Sequence, residues 1–255
     1  MQTQFTELTD SQWQVIEKFV SHHCPKKHDL RTILNAIMWI TRTGTQWRNL
    51  ESKYPPWQSV YYYFRLWKIN GTLGLILKKL VELERVRQKR SAKPSAAAID
   101  SQSVKIVAFI NEDTGIDGGK KVNGRKRHLL VDTQGLPIAI HVSAANTSDH
   151  VGGFDLLAQA EEHEGTLKLI RGDKHYAKIF KEAASWYKFD VEVTKKPSTE
   201  KGFVPQKGRW QVERSFAWMN FYRRLSRDYE RLACSSVAFI QLMFINIILA
   251  RLCRN

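Results

Sequence analysis

The stretch KRHLLVDTQGLPIAIHVSA, residues 126–144, decides the fold. Its two arms, KRHLLVD (126–132) and LPIAIHVSA (136–144), flank the short turn Thr133-Gln134-Gly135 and read as an antiparallel hairpin. Ahead of it, AAAIDSQSV (96–104) runs apolar and then polar, as a strand that begins inside a core. Behind it, NTSDHVGGFDLLAQAEEH (146–163) opens with capping residues and turns helical. LKLIRGD (167–173) then reads as a strand, HYAKIFKEAASWYK (175–188) as a helix and VEVTKK (191–196) as a strand. RWQVERSFAWMNFYRRL (209–225) is a strongly patterned helix, and the apolar VAFIQLMFINIILARL (237–252) follows as a buried terminal helix.

Three antiparallel strands extended by parallel ones, with helices packed on them, make an α/β layered domain. The order matches a ribonuclease-H-like arrangement with a mixed five-stranded sheet. The first ninety residues read differently. Asp10 and Asp29 can each cap a helix, Gly44 can stop the second, and Pro55-Pro56 forbids helix before SVYYYFRLWKI (59–69) resumes it. The basic stretch RVRQKRSAKPSA (85–96) reads as a linker. The expected division is therefore a helical domain over 1–84, a basic linker over 85–95 and an α/β domain over 96–255 that includes the terminal helix.

The chain has 255 residues, 43% apolar, which excludes disorder. Forty Lys and Arg against 25 Asp and Glu give a net charge of +15, an excess that suits a polyanionic partner. Cys24, Cys234 and Cys253 are scattered and read as reduced thiols of a cytoplasmic protein. The N-terminus lacks a secretory pattern, and the terminal apolar run is short for a bilayer span and carries Gln241, Asn246 and Arg251, so no membrane is expected.

Position selects three of the 25 acids. Asp100 ends a strand apolar on both faces, and Asp173 stands at the end of a second such strand, where ligand sites of open α/β sheets gather. Glu213 aligns by helical steps with Trp210, Phe216 and Ala217, on or beside the stripe that faces the core. Three inward acids repel unless a cation joins them, and hard oxygen ligands favour Mg²⁺ or Mn²⁺. Taken singly, each acid also reads as ordinary: a strand-end turn residue, a helix cap, and an ion-pair partner of Arg209 or Arg214. Asp132 reads as a hairpin residue, and Asp149 as a helix cap with a supporting role at the site as the lesser alternative.

Of the cations, Lys120, Lys121, Arg125, Lys126 and Arg127 crowd the entry to the hairpin and are expected to contact phosphates. GKKVNGRK (119–126) leads into a strand without the terminal Lys-Ser/Thr of a nucleotide-binding loop, so no nucleotide cofactor is expected. Arg42 and Arg48, at a helix end beside Trp47, are the expected sequence-reading contacts of the helical domain. His22, His23, Cys24 and His28 lack the second half of a zinc site and read as a polar loop.

AIDSQSVK (98–105), KKVNGRKRHLLVDTQGLPIAIHVSAANTSD (120–149), GDKHYAK (172–178) and RWQVERSFAWMNFYRRLSRDYE (209–230) resemble the transposases of bacterial insertion sequences, in particular the family numbered five. The likeness runs from about Leu30 to Leu252. It implies that Asp100, Asp173 and Glu213 form an Asp-Asp-Glu catalytic triad holding two divalent ions. It further implies cleavage at the element's ends and strand transfer by the freed 3′-hydroxyl into target DNA. The implied partners are double-stranded DNA, as terminal inverted repeats and target, and further copies of the chain in a homodimer or larger assembly. Arg209 fits the Arg of the related families' pattern around the Glu, whereas Gln206 stands in place of its Tyr and Asn220 in place of its Lys. Arg209 and Arg214 are expected DNA contacts on that helix. Two alternatives keep the fold: a DNA-binding protein without catalysis, and a nuclease that hydrolyses without joining.

Overall fold

The computed structural model describes residues 5–20, 27–194 and 208–253. They form two compact units, residues 1–90, 219–226 and 234–255 in one, residues 91–218 and 227–233 in the other.

The helical unit is built from α1 (Asp10–Val20), α2 (Leu30–Thr43), α3 (Trp57–Ile69), α4 (Thr72–Arg87) and α8 (Ala233–Leu252). Asp29 caps α2 as expected, accepting from the Thr32 N–H at 2.9 Å. For α1 the cap is Thr9 and not Asp10: Thr9 Oγ1 accepts from the Gln12 N–H while Gln12 Oε1 accepts from the Thr9 N–H, a reciprocal capping box. Asp10 pairs with Arg31 instead. Burial of Leu73, Ile76, Leu77, Leu80 and Val81 continues one turn further to Glu84 and Arg85, so the helix runs through residues expected to be linker. Glu84 is fully buried and accepts from the Arg87 and Gln88 side chains, which extends helical order to that point.

The terminal helix also departs from the expected division, because α8 belongs to the helical unit and not to the sheet. Phe239 stacks on Phe64 with ring centroids 4.9 Å apart and lies 6.2 Å from Trp47, and Lys68 donates to the Ser235 hydroxyl. Among the described residues α8 alone is long and apolar enough to cross a bilayer, and 67% of its most apolar window is buried inside the structure.

The sheet unit holds β1 (Ala96–Lys105), β2 (Gly115–Asp117), β3 (Val122–Asp132), β4 (Pro137–Ala144), α5 (Asp149–Ala160), β5 (Leu169–Gly172), α6 (Ile179–Trp186), β6 (Asp190–Val193) and α7 (Trp210–Met219). The strand order is β2-β3-β1-β5-β6, with β4 also pairing β3. β1 runs antiparallel to β3 and β3 to β4, while β5 and β6 extend the sheet in parallel. This is the ribonuclease-H-like arrangement predicted from the element order, with one strand more than the five expected. The addition, β2, is only three residues long and pairs Gly115–Asp117 with Val122–Gly124.

Two devices fix the hairpin. Gly135 takes a φ of +73°, which a side chain would strain, and the buried Asp132 carboxylate accepts from the N–H groups of Gln134 and Leu136. One face of the sheet is covered by α5 and α6, whose Leu156, Leu157, Phe180 and Ala184 pack with Ile99, Leu130 and Ile170.

Candidate active site

The parallel pairing of β1 with β5 matches Ala98 with Arg171. Asp100, in the middle of β1 and not at its end, and Asp173, just past the end of β5, each lie two residues further on, close enough for the Asp173 charge to act on Asp100. Apolar residues bury the start of β1 and drive this arrangement: Ala97, Ala98 and Ile99 are all within 3% of complete burial. Burial pushes the Asp100 carboxyl up to about 6, and the Asp173 charge adds to the rise. Arg209, the Ser101 N–H and Lys120 oppose it. Arg209 Nη2 donates to Asp100 Oδ2 at 3.3 Å, which brings the first turn of α7 to the acid on β1.

A third carboxylate joins the pair from the start of α5, in the supporting place that is the lesser of its two readings. Asp149 is the first residue of α5, and its Oδ1 accepts from the Ser101 hydroxyl at 2.7 Å and pairs with Lys126 Nζ at 3.0 Å. Burial draws Asp149 upward, but the Ser101 and Lys126 hydrogen bonds and the Lys126 and Lys120 charges prevail and hold it below its ordinary value. His175 closes the group. Its N–H donates to Asp173 Oδ1, its Nδ1 lies 2.9 Å from Asp173 Oδ2, and that nitrogen is 3.8 Å from Asp149 Oδ2. Tyr176 lies beneath, fully buried, its hydroxyl without an acceptor among the described residues. Its ring occupies space that a Cβ on Gly172 would invade at 2.9 Å, so the last position of β5 must lack a side chain. Burial raises the Tyr176 phenol well above its ordinary value, with the Asp100, Asp149 and Asp173 charges adding to it.

Glu213 lies on α7 one helical turn beyond Arg209, partly buried. The stripe of α7 facing the core runs through Val212, Ser215, Phe216 and Met219, while Trp210 and Ala217 are exposed, so Glu213 borders that stripe. Among the described residues, no three His, Cys, Asp or Glu side chains stand close enough together to hold a metal ion. Asp100 and Asp173 are thus within reach of each other's charge, and Glu213 is not gathered into a ligand group with them. The chemistry of the two aspartates nonetheless suits a hard cation: both are oxygen donors, and Asp100 is destabilised as an anion by burial and by its neighbour.

The basic residues expected at the hairpin entry divide sharply. Lys120 and Lys121 are exposed in the β2–β3 turn, which Asp117 organises by accepting from the Gly119 and Lys120 N–H groups at 3.0 Å each. Arg125, Lys126 and Arg127 are buried within β3, each at most 7% exposed, and do not reach the surface as phosphate contacts. Arg125 spends its guanidinium on Asp228 and on the carbonyls of Glu112, Asp113, Glu230 and Arg231. Burial lowers Arg127 to about 10, with the Asp228 charge resisting the fall. Lys126 donates to the Thr147 carbonyl as well as pairing with Asp149.

Arg214 is held between Trp210 and Trp218, 4.3 and 5.1 Å from their ring centroids, and donates to the Gln134 carbonyl. It therefore serves the packing of α7. In the helical unit Arg48 is exposed over Trp57, while Arg42 donates to the Phe221 carbonyl and lies over the Tyr222 ring. His22, His23, Cys24 and Gln206 lie outside the described residues.

Sequence reasoning reads Asp149 first as a helix cap, with a supporting role at the site only as the lesser alternative, and does not single out His175. The only signal for Asp149 was its place after Asn146-Thr147-Ser148, which a helix cap explains as well; His175 offered its spacing of two from Asp173.

A ribonuclease-H-like sheet with one aspartate on β1 and another just past the adjacent β5 defines the class of protein. Residues 91–249 match the family described as "Transposase DDE domain", more than half of the chain, and the chain belongs to that family. Residues 8–77 match the family described as "Putative transposase of IS4/5 family". The chain is similar to a Burkholderia cepacia protein described as "Putative transposase for insertion sequence element IS402", 29% identical over 126 residues. That match takes in 47% of this chain and 60% of the relative, so the chain spans three-fifths of the length of the curated protein it matches. Among solved structures, a chain of the Mos1 mariner paired end complex with Mn is 12% identical, with 91% of this chain and 79% of that one covered. Its TM-score of 0.31 is too low to support any inference.

Proposed function

We propose that the chain is an active insertion-sequence transposase that cuts DNA at the element's ends and joins the freed 3′-hydroxyl to target DNA. The observation that carries this reading is the pair Asp100 and Asp173, brought within reach of each other's charge by the pairing of β1 with β5, with Asp100 raised to about 6 by burial. Asp100, Asp173 and Glu213 would hold Mg²⁺ or Mn²⁺. Two such ions supply a Lewis acid for the scissile phosphate and lower the pKa of a bound water.

The chain's own residues do the rest. Arg209 keeps Asp100 oriented and favours its ionised form. Lys120 and Lys121 offer exposed charge to phosphates beside the site, and Arg48 offers it in the helical unit. The Trp-rich pocket of Arg214 holds α7, and with it Glu213, against the hairpin turn. Element ends as terminal inverted repeats, target DNA as double strand, and a homodimer or larger assembly to bring two ends together complete the reading.

The test is incubation of the full chain with DNA carrying the element's ends and Mg²⁺. Joined product is expected, and Asp100→Asn should abolish both cleavage and joining while leaving end binding intact. Hydrolysis without joining would instead favour a nuclease, binding without cleavage a repurposed DNA-binding protein. Strand transfer retained by Asp100→Asn would defeat the assignment of that residue.

A further inference from the structure

We infer that Asp149 is a positioning residue that links β1 at Asp100 with the segment after β5 at Asp173, and so sets the spacing of the proposed cation site. The inference rests on the functional reading above and deepens it. It comes from two parallel arrangements, one closed by a hydrogen bond to Asp149 and the other by a 3.8 Å approach to it. Ser101 donates its N–H to Asp100 Oδ1 at 2.8 Å and its hydroxyl to Asp149 Oδ1 at 2.7 Å. His175 donates its N–H to Asp173 Oδ1 at 2.9 Å, while its Nδ1 lies 2.9 Å from Asp173 and 3.8 Å from Asp149. Each proposed ligand is thus gripped by a near neighbour in sequence, and both neighbours present their side chains to the same third carboxylate.

Capping of α5 does not explain Asp149. The N-cap residue is Ser148, whose side chain makes no capping bond, and among the described residues no N–H of α5 donates to the Asp149 carboxylate. Its Oδ1 is committed to Ser101 of β1 and Lys126 of β3, and its Oδ2 faces the His175 ring at 3.8 Å, an approach that becomes an ion pair when the imidazole is protonated. Lys126 is held in turn by the Thr147 carbonyl two residues before Asp149, so the carboxylate is fixed from the chain on both sides. A carboxylate that bonds the partners of metal ligands orients those ligands, and losing such a group weakens metal affinity about 10- to 100-fold.

The experiment is calorimetric titration of the full chain with Mn²⁺ alone, beside thermal unfolding in chelator. Asp149→Asn and Ser101→Ala should each weaken Mn²⁺ binding, the first by about 10- to 100-fold. Ser101→Thr, which restores the hydroxyl on a strand residue, should bind as the wild type does. Ser101→Ala should unfold in chelator at the wild-type temperature, so that an affinity loss without a stability loss marks positioning and not general loosening. If Asp149→Asn does not fold, with Lys126 stripped of its carboxylate, Ser101→Ala and Ser101→Thr decide alone. Mn²⁺ bound equally by wild type, Asp149→Asn and Ser101→Ala would overturn the inference while leaving the functional reading intact. A wild-type chain that binds no Mn²⁺ would overturn the reading itself, and the inference with it.

Discussion

Two charged clusters grow from the same pair of strands, and they are resolved in opposite ways. At the far end of β1 and the near end of β3, Arg125 donates to the Asp228 carboxylate and to the backbone carbonyls of Glu112, Asp113, Glu230 and Arg231, from all three guanidinium nitrogens. That cluster is closed: its charge and its hydrogen bonds are met from within. At Asp100, Asp149 and Asp173 the three carboxylates have Arg209, Lys126 and Lys120 near them, yet burial still raises Asp100 where Arg125 is satisfied. A closed cluster stabilises the fold; an open one is ready for a ligand. The distinction tells more than the net charge does, since both clusters draw on the same run of basic residues.

Breaking each cluster should separate the two roles. Asp100→Asn is expected to lower DNA cleavage by at least ~10³-fold, about 4 kcal/mol of barrier, measured as single-turnover nicking in Mg²⁺. The same variant should be as stable as wild type or more so in chelator, because Asn removes an anion that burial and Asp173 disfavour. Arg125→Met should do the reverse: about 3–5 kcal/mol of unfolding free energy lost in urea titrations, since Asp228 and the carbonyls are left buried without their donor. A stable Arg125→Met, or an unstable Asp100→Asn, would erase the contrast.

Proton linkage sharpens it. Burial, with His141 adding to it, pushes His128 down to about 3, and its Nε2 lies 2.9 Å from the Ser143 hydroxyl. The unfolded chain takes up that proton near pH 6.5, so stability is full above 6.5 and falls as pH drops toward 3. Asp100 acts with the opposite sign: the fold holds its proton up to about 6, so the metal-free protein loses stability as pH rises from 4 to 6. In the chelated protein, His128→Asn should flatten the acid limb of an unfolding-versus-pH curve by up to about one proton, while Asp100→Asn should steepen it. The smallest effect expected is on binding. Lys120→Ala and Lys121→Ala should each reduce the salt dependence of duplex affinity by about one ion, with thermal stability unchanged.

The hairpin was legible because two kinds of information coincide there, an apolar run on each arm and a turn whose Gly135 and Asp132 have a specific conformational task. The order of strands followed from it, and with it the nearness of Asp100 and Asp173. Arg125, Lys126 and Arg127 misled because a cluster of cations ordinarily marks a solvated surface. Nothing in the local pattern shows that Asp228, about a hundred residues away, and a ring of carbonyls will receive one of them. The terminal helix misled for a different reason: it is apolar around nearly its whole circumference, so no face tells which unit it will join. The supporting role of Asp149 stayed the lesser reading because its partners Ser101 and Lys126 come from distant strands, and His175 lacked any signal beyond its spacing from Asp173. A capping carboxylate and a positioning one look alike until the fold brings Ser101 and Lys126 to it.

The place of α8 has a consequence for synthesis. The aromatic cluster around Phe64 and Trp47 lacks Phe239 until the ribosome has passed the entire sheet, which at ordinary elongation takes roughly ten to thirty seconds after α4 emerges. During that interval the amino-terminal helices have an unfilled groove, and any product cut short by a premature stop retains it permanently.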